Sequence, residues 1–517
     1  MSNNYTSKKL AFNNAEQFKE SFYEPEPTTI GYVFLGNSIG YTNEDTPDVI
    51  TDTVYNEKDI WQNMFAAKKV TGNDVELVVP RVEWTGNTSY REYDDTIQLS
   101  ELISSNTTQN LKPIYVMTST RDVYLCLSNN YPVKSTVEPS GKNLSANGNI
   151  QTADGYLWKY LYNIKPTNKF LSNNWIPAPT STTKLDYDTT SLIAVDGELT
   201  NIKLITGGSG YVHSNIFVTS FVTGCTILTV ANTTNLAANM SISGTGIGGG
   251  AFIRTVDTTN SKITISTSTT ATGGGANNLI ATSTRIYIDG DGTSAIAVPV
   301  LTGNQISEVV LTTYGKNYNR ANISFFGTGT AATARAILAP KFGHGFNSAK
   351  QLGGSNVMIS MRVGEVDATE GGVISTDTSF RQYGLLRDPY KYGQTLQANN
   401  TTSNTVISQT TNISLIAGSL YNLNEFVYQG ISSSDSTFSG YVHAQTSNEI
   451  RLIKVKGTIA IGSPLKGTAT NPTGRTVVTA ASPEFEPFTG DVLYVENITK
   501  TQRTEGQAES LKFVIRF

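Results

Sequence analysis

The final segment of the chain constrains its fold more than any other stretch, because it alternates apolar and polar residues. This alternation predicts a β-strand with one apolar face. On that face lie Leu511, Phe513, Ile515 and Phe517. An apolar strand needs sheet neighbours, so we expect the end of the chain to lie in the core of the protein rather than to fray.

A second strand is predicted directly upstream of this segment. Val492 and Tyr494 alternate with polar residues and are followed by Glu496 and Asn497, which indicates a strand that enters a turn. Both closing strands require partners from earlier in the sequence. We therefore expect residues 483–517 to return to a sheet that begins near residue 30.

The composition favours strands throughout the chain. Its 517 residues suggest two to four domains. Only 15% of the residues are charged, against about 25% in an average soluble domain, and 25 Tyr and 20 Phe favour strands over helices. We predict a mainly β fold with a few helices (α+β), in which a discontinuous core domain is interrupted by β-sandwich or small-barrel insertions. Weakly charged β proteins rich in Thr, Asn and Gly are common among extracellular and virion structural proteins.

Charge and hydropathy exclude several classes of partner. The net charge is −4 and no long basic run occurs, so we expect no nucleic-acid surface. No apolar stretch approaches the roughly 20 residues of a membrane span, and no apolar leader is evident. These features predict a soluble protein, without membrane insertion, that is made in a reducing cytoplasm. Cys126 and Cys225 are too few for a disulfide framework, and we expect two buried thiols.

Shifts in composition divide the chain into five segments. The dense segments, rich in aromatic and charged residues, are predicted to form one discontinuous core, and the polar segments are predicted insertions. The core comprises 1–196, 341–393 and the closing strands 483–517. The insertions are a Gly/Thr-rich β domain at 197–340 and a small β module at 394–482.

The first insertion contains an internal repeat. Leu199–Tyr211 and Gln305–Tyr318 are each an alternating strand that is followed by a Gly-containing turn and a Tyr. Another short strand is predicted after each copy, at Ile216–Thr219 and at Ala321–Phe326. Such repeats are typical of small β modules.

Two local elements are predicted in the first core segment. A helix is expected to start with Asn56 as its cap and to run to about Lys69. Its apolar stripe consists of Ile60, Trp61, Met64 and Phe65. Ile114–Met117 and Val123–Leu127 are predicted to pair as a hairpin.

No pattern of catalytic or metal-binding residues stands out. His213, His344 and His443 lie far apart in sequence, and neither cysteines nor histidines have the spacing of metal ligands. No nucleophile elbow and no phosphate-binding loop are present. Asp289–Gly292 is predicted to be a β-turn rather than a calcium loop, because the acidic residue that would complete such a loop is replaced by Val300. We therefore expect no enzymatic activity, no cofactor and no metal.

Acidic and aromatic residues each have a structural interpretation. Asp94, Asp95, Glu365 and Asp367 are predicted to be solvated loop acids. The alternating aromatics of Tyr156–Tyr162 are predicted to form a buried sheet face. An oligomer interface or a surface that stacks on sugars remains the alternative for that strand.

One charged and aromatic cluster follows a predicted strand that ends at Pro80. Arg81, Glu83 and Trp84 leave this strand together. Such a cluster suits a structural ion pair within the chain, which we favour, and it also suits a contact with a partner.

Four stretches resemble the baseplate wedge proteins of T-even-type contractile-tailed bacteriophages, known as the gene product eight family. The first runs from Asp59–Met64 into Val78–Trp84 and resembles D-[IM]-W-x-x-M followed by P-R-x-[DE]-W. Asp154–Ile164 is similar to D-G-Y-x-W-x-Y-L-[FY]-x-I. The remaining two are Phe380–Gln382, and Gly490–Asn497 with the terminal strand, similar to G-x-x-x-Y-x-E-N and a final Phe. The resemblance does not extend to the two insertions.

The resemblance implies a structural role in the virion. It implies a homodimer in each wedge of the tail baseplate that contacts other wedge proteins, is assembled in the host cytoplasm and takes part in rearrangement on tail contraction. It implies no enzymatic activity. The structural or interface candidates are Trp61, Arg81, Trp84, Tyr156, Trp158, Tyr160, Glu496 and Asn497. A receptor- or glycan-binding tail protein that uses the inserted β modules is the alternative, since exposed loops of such modules often bind ligands.

Overall fold

The computed structural model describes residues 8–23, 29–145, 148–180, 193–275, 278–364, 378–398, 406–504 and 508–517. It is 47% strand and 7% helix, which confirms the predicted mainly β class with few helices. The helices among the described residues are α1 (Lys8–Glu20), α2 (Val54–Asn63), α3 (Leu99–Leu102) and α4 (Ser348–Gln351). None of these helices is long and apolar enough to cross a membrane.

Short strands make up the rest of the regular structure. In the first part of the chain they are β1 (Gly31–Gly36), β2 (Met64–Lys69), β3 (Val75–Pro80), β4 (Ser89–Tyr90), β5 (Leu111–Lys112), β6 (Tyr115–Met117), β7 (Asp122–Ser128), β8 (Ile150–Gln151), β9 (Leu157–Asn163), β10 (Trp175–Pro177), β11 (Leu199–Ser209), β12 (Ser214–Ser220), β13 (Ile227–Val230), β14 (Ser241–Gly244), β15 (Ile253–Asp257), β16 (Lys262–Ile265) and β17 (Leu279–Ser283).

In the second part they are β18 (Arg285–Gly290), β19 (Thr293–Thr302), β20 (Gln305–Lys316), β21 (Ala321–Phe326), β22 (Thr330–Leu338), β23 (Asn356–Gly364), β24 (Ser379–Arg387), β25 (Val406–Ser408), β26 (Thr411–Leu415), β27 (Phe426–Gly430), β28 (Ser436–Gln445), β29 (Glu449–Gly457), β30 (Pro464–Gly467), β31 (Arg475–Ala481), β32 (Asp491–Gln502) and β33 (Ala508–Arg516).

The chain forms two compact units. The first unit combines Met1–Val78 with Ser355–Phe517, and the second unit is Val79–Gly354. The division into five segments that the composition predicts stays a prediction.

A five-stranded sheet organises the first unit, with the strand order β25-β2-β1-β24-β32. Every residue of β1 is buried, as expected for a central strand covered on both faces. Its core includes Tyr32, Phe34, Trp61 and Phe485. The late strand β32 therefore lies in the sheet that β1 begins, as the closing segment predicted.

The terminal strand also has the sheet partners that its alternation requires. β33 pairs with β23 along its whole length, and β23 pairs in turn with β3. Leu511 and Phe513 are buried, whereas Phe517 is 39% exposed. The expected strand is thus confirmed, and its apolar face is covered best in its first half.

Two predicted ends of elements in the first unit are wrong, and so is the predicted helix cap at Asn56, because α2 begins at Val54 with Thr53 as its cap. The expected turn at Glu496 and Asn497 lies in the middle of β32, opposite Tyr383 and Gln382 of β24. The helix expected to reach Lys69 ends at Asn63, because the next six residues pair as β2 between β1 and β25. In both places, sheet pairing prevails over the local pattern.

The first unit also contains a closed six-stranded barrel. Its strand order is β26-β29-β28-β27-β30-β31. Its core consists of Tyr421 and of inward-facing residues of its strands: Ile413, Leu415, Val427, Phe438, Val442, Ile450, Leu452, Leu465 and Val477. This is the small barrel expected of an insertion.

In the second unit, a sheet of order β6-β7-β9-β8 carries the aromatic strand β9. The pairing of β6 with β7 confirms the predicted hairpin. Cys126 of β7 is a buried free thiol, as expected, but Cys225 is only half-buried.

The internal repeat forms the two facing sides of a sandwich. One sheet has the order β11-β22-β21-β18, and the other is the hairpin β19–β20. Ile202 of the first repeat copy and Ile306 of the second lie in their shared core. The turn predicted at Asp289–Gly292 is confined to Asp291 and Gly292, because Asp289 and Gly290 are the last residues of β18. The Asp291 carboxylate accepts hydrogen bonds from the backbone N–H groups of Asn319 and Arg320 at 2.9 and 3.1 Å.

The part of the chain that follows β11 and precedes β18 forms a further six-stranded sheet, in the order β14-β17-β12-β13-β16-β15. Its two end strands meet at Ile253, whose N–H donates to the carbonyl oxygen of Met240 at 2.9 Å. The sheet therefore curls around an aliphatic core that includes Val218, Leu228 and Ile263.

Candidate functional site

The predicted structural or interface residues fall into two groups, one in each unit. The second unit holds Arg81, Trp84, Tyr156, Trp158 and Tyr160. The first unit holds Trp61, Glu496 and Asn497.

The aromatic strand of the second unit is buried. Tyr156, Trp158 and Tyr160 are each 0% exposed, which confirms the predicted buried sheet face. The rings of Tyr156 and Trp158 stack at 5.7 Å, and Tyr90 meets Trp158 edge-on at 5.6 Å. Offset and edge-to-face arrangements such as these are the favoured aromatic geometries. These side chains therefore make their contacts within the chain.

A carboxylate fixes the loop that covers this cluster. Asp154 Oδ2 accepts hydrogen bonds from the N–H groups of Thr136 and Val137 at 2.7 and 2.9 Å. Burial alone would raise the pKa of Asp154, but these bonds and one from the Thr152 hydroxyl outweigh burial and lower it. The folded protein therefore stabilises the charged form of Asp154.

Ser135 joins two of the stretches that carry the resemblance. Trp84 Nε1 donates to Ser135 Oγ at 3.2 Å, and Ser135 Oγ donates to Asp154 Oδ2 at 3.1 Å. Ser135 is 0% exposed. Sequence reasoning missed this residue, because a single loop serine gives no periodic signal.

Arg81 binds within its own unit. Its guanidinium forms an ion pair with Glu83, and Nη1 donates to the carbonyl oxygen of Ser172 at 3.0 Å. Both side chains line an open groove of about 650 Å³ with Pro80 and Lys112. Because Glu83 balances Arg81, the groove holds no strong excess of charge.

Two neighbouring strands of the second unit hold an acidic loop of the same unit. Arg335 of β22 donates to Asp94 at 2.7 Å and also pairs with Asp95. Lys203 of β11 donates to Glu92 at 3.1 Å. Lys203 and Arg335 are register partners in the sheet, so they approach the loop together.

The prediction of solvated acids is therefore wrong for Asp94, which is only 5% exposed, whereas Asp95 is exposed although its carboxylate pairs with Arg335. Hydrogen bonds and Arg335 lower the pKa of Asp94, although burial is the largest influence and acts in the opposite direction. The other two acids of that prediction, Glu365 and Asp367, lie outside the described residues.

A buried histidine lies beside this ion-pair cluster. His344 Nε2 is 2.7 Å from Thr200 Oγ1, its Nδ1 is 2.5 Å from Gln351 Nε2, and Tyr93 packs edge-on at 4.6 Å. Burial, and then the nearby charge of Lys159, lower the pKa of His344 to about 3. The imidazole is therefore neutral at ordinary pH.

The same region buries two further ionisable groups. Burial lowers the pKa of Lys159 and raises that of Glu198. Lys159 Nζ has no hydrogen-bond partner in the part of the chain that the structure describes. Even so, no group of three or more His, Cys, Asp or Glu residues among the described residues could hold a metal ion.

In the first unit, Glu496 accepts hydrogen bonds from two tyrosines. The hydroxyls of Tyr383 and Tyr494 donate to Glu496 Oε2 at 2.5 and 2.6 Å. Burial, and then the bond to this carboxylate, raise the pKa of both tyrosines. Phe513 stacks on Tyr494 at 5.2 Å, so the cluster links β24, β32 and β33.

Asn497 and Arg381 fix an irregular segment of the first unit. Asn497 Oδ1 accepts from Gln382 Nε2, and Asn497 Nδ2 donates to the carbonyl oxygen of Asp48, both at 2.8 Å. Arg381 is 4% exposed and donates to Glu44 at 2.7 Å. The third and fourth stretches of the resemblance therefore act on the same neighbouring segment.

Trp61 lies in the core of the first unit. It is 4% exposed and packs among the core side chains of the β1 sheet. Its indole Nε1 has no hydrogen-bond partner among the described residues. In this unit Trp61 is a packing residue.

Comparison with known proteins gives one distant relative to report. No family model matches the chain. The chain is 24% identical over 184 residues to the baseplate wedge protein gp8 of Enterobacteria phage T4. The match covers 29% of this chain and 54% of that protein, so the chain spans about half the length of its relative. This distant similarity indicates a baseplate-related protein.

Proposed function

We propose that the chain is a structural subunit of a phage tail baseplate wedge, with no enzymatic activity and no cofactor. One observation carries this proposal. The stretches that resemble the wedge family build buried packing and hydrogen-bond networks, such as the link from Trp84 through Ser135 to Asp154. Their side chains stabilise a defined three-dimensional shape, and a subunit of a large assembly requires such a shape. The similarity to a known baseplate wedge protein supports the same role.

The finer part of the proposal concerns assembly. In it, the chain forms a homodimer that links neighbouring wedge proteins, is assembled in the host cytoplasm and takes part in baseplate rearrangement on tail contraction. The resemblance of its sequence stretches supports this part. Light scattering on the purified full chain at micromolar concentration should give the mass of two chains, and a clean monomer would contradict the dimer.

The location is tested in the particle itself. Cryo-electron microscopy of the phage that encodes the chain should show density for its sheets in the baseplate. Deletion of the gene should leave tails without complete baseplates, and expression of the full chain from a plasmid should restore them. Normal tails after deletion would refute the wedge role.

A second candidate is a receptor- or glycan-binding tail protein. The observation that favours it is the exposure of large apolar side chains on the barrel of the first unit, with Ile431 at 87% and Ile461 at 58%. A glycan array probed with the full chain would support this function if binding occurs and is lost in the Ile431→Ser variant.

A further inference from the structure

An exposed segment of the first unit is held in one conformation without regular secondary structure. Residues 37–53, all described, form neither helix nor strand between β1 and α2. The segment is fixed at its beginning, because Asn37 N–H donates to the carbonyl oxygen of Asn63 at 3.1 Å. Its end is fixed by Thr53, whose Oγ1 accepts from the N–H of Asn56 at 3.3 Å and caps α2. We call residues 37–55, which add the first two residues of α2 to this irregular stretch, the anchored segment.

Its middle is held by a buried arginine. Arg381 Nη1 donates to the carbonyl oxygen of Ser38 at 2.9 Å, and its Nη2 donates to Glu44 at 2.7 Å. Tyr41 in turn donates to the carbonyl oxygen of Arg381 at 2.8 Å. With the bond from Asn497 to Asp48, these contacts order a backbone that would otherwise retain considerable conformational entropy.

This ordered segment presents large apolar side chains to solvent. Val49 is 88% exposed, Tyr55 is 79% exposed and Val54 is 69% exposed. The three lie within seven residues of one another. Single exposed apolar residues are normal, but a concentration of them on a fixed backbone is typical of a contact surface. Preorganisation of this kind lowers the entropic cost of binding.

The charge around these side chains is negative. Asp45, Asp48, Asp52 and Glu57 are exposed within or next to the anchored segment, against one exposed cation, Lys58. The two other acids of the region, Glu44 and Asp59, are paired with Arg381 and Lys454. The unpaired charge therefore surrounds the apolar side chains and is free to act on a partner.

We propose that the anchored segment is the docking surface for a different protein subunit, one that presents an apolar pocket rimmed by Lys and Arg. Charge complementarity identifies this class of partner. A second copy does not fit, because a two-fold contact would place the acidic segment against itself and the chain has a net charge of −4. This inference deepens the proposed wedge function and rests on it for the setting in which the partner is found.

Photocrosslinking in infected cells tests the surface directly. A benzophenone amino acid replaces Tyr55 in the full chain, and the matched control replaces Tyr131, which is 53% exposed in the second unit. We expect position 55 to crosslink to one other protein, at a peptide with an excess of Lys and Arg, and position 131 not to reach that peptide. Crosslinking at position 55 that is no stronger than at 131, or crosslinking to a second copy, overturns the proposal.

A pair of variants measures the contribution of the apolar side chains. Val49→Ser/Tyr55→Ser should retain the thermal unfolding temperature of the parent and lower incorporation into particles, because the loss of two central contacts should weaken binding at least about 30-fold. The control Ile205→Ser/Val222→Ser alters residues of 66% and 61% exposure in the second unit and should be incorporated normally. Equal incorporation of both variants refutes the docking surface and leaves the wedge function standing. Absence of the parent chain from particles refutes the wedge function, while the crosslinks still decide the docking surface.

Discussion

The two regions predicted to be β insertions contact the rest of their own units in different ways. In the second unit, the predicted insertion 197–340 is held by the ion pairs of Arg335 with Asp94 and Asp95 and by His344. In the first unit, the barrel contacts β2 through the ring of His443, which stacks on Phe65 at 4.1 Å. We call these the first and the second attachment.

Both attachments contain a neutral, buried histidine, but the two rings differ in their partners. His344 has partners at both ring nitrogens. His443 is stacked, and its Nδ1 has no hydrogen-bond partner among the described residues. The pKa of each is lowered to about 3, mainly by burial. The difference shows that a buried histidine can connect two polar side chains through hydrogen bonds in one place and pack as an aromatic ring in another.

Acidification should give the largest effect and should act on both attachments. An unfolded His binds a proton below pH 6.5, whereas the folded rings remain neutral down to about pH 3. The contribution of each neutral ring to the free energy of unfolding is therefore complete above pH 6.5, and it decreases progressively as the pH drops to 3. At pH 4.5 the free energy of unfolding should be lower by about 3 kcal/mol for each ring, and urea unfolding at pH 7.5 and 4.5 would measure this decrease.

The second attachment provides the cleaner test of this loss. Glu198 near the first attachment has a raised pKa, so its protonation stabilises the fold at low pH and offsets part of the loss there. His443→Phe should therefore lose about 3 kcal/mol less than the parent between the two pH values. An identical loss in both proteins would show that His443 titrates normally.

The substitution of Phe for each histidine at pH 7.5 should separate the two attachments. His344→Phe leaves Thr200 and Gln351 without their partners in a buried site and should lower the free energy of unfolding by about 2 to 3 kcal/mol. His443→Phe keeps the stack on Phe65 and should change it by less than about 1 kcal/mol. Equal costs at both positions, measured by urea unfolding, would show that the two rings have equivalent roles.

Loss of the Arg335 guanidinium should weaken only the first attachment. Arg335→Gln leaves Asp94 almost fully buried without its main cation and should cost about 2 kcal/mol. Hydrogen exchange should accelerate in β11 and β22 and not in the barrel. The control Arg254→Gln removes an exposed cation of the same insertion and should leave exchange unchanged.

The smallest effect is expected at an exposed ion pair that joins the barrel to α2 in the same unit. Lys454 Nζ lies 3.2 Å from Asp59 Oδ1, and both side chains are partly exposed to solvent. Such pairs contribute little, so Lys454→Gln should change the free energy of unfolding by less than about 0.5 kcal/mol. A larger change that disappears in 1 M salt would show that the barrel depends on this charge.

Local periodicity was sufficient to predict the class of the fold and the burial of particular strands. The alternation of apolar residues in the terminal strand and in the aromatic strand around Trp158 predicted strands with a covered face, and both have one. Those patterns report on neighbours in sequence, and side-chain direction in a strand follows from position alone.

The polar parts of the candidate site could not be predicted in the same way. Asp94 resembled a solvated loop acid because its partner Arg335 lies 241 residues away. Ser135 likewise acquires its role from Trp84 and Asp154 in other loops, and Glu496 and Asn497 acquire theirs from Tyr383 and Gln382 of β24. A polar side chain carries the same sequence signal whether water or a distant partner satisfies it.

The sequence by itself thus determined that this protein is built mainly from strands and that the aromatic side chains around Trp158 are buried, because hydrophobic burial follows a local period. Tertiary structure alone decided where the helix before β2 ends, that β32 continues through Glu496, and which charges are neutralised. Hydrogen bonds and ion pairs need two groups at close distance, and only the folded chain brings those groups together.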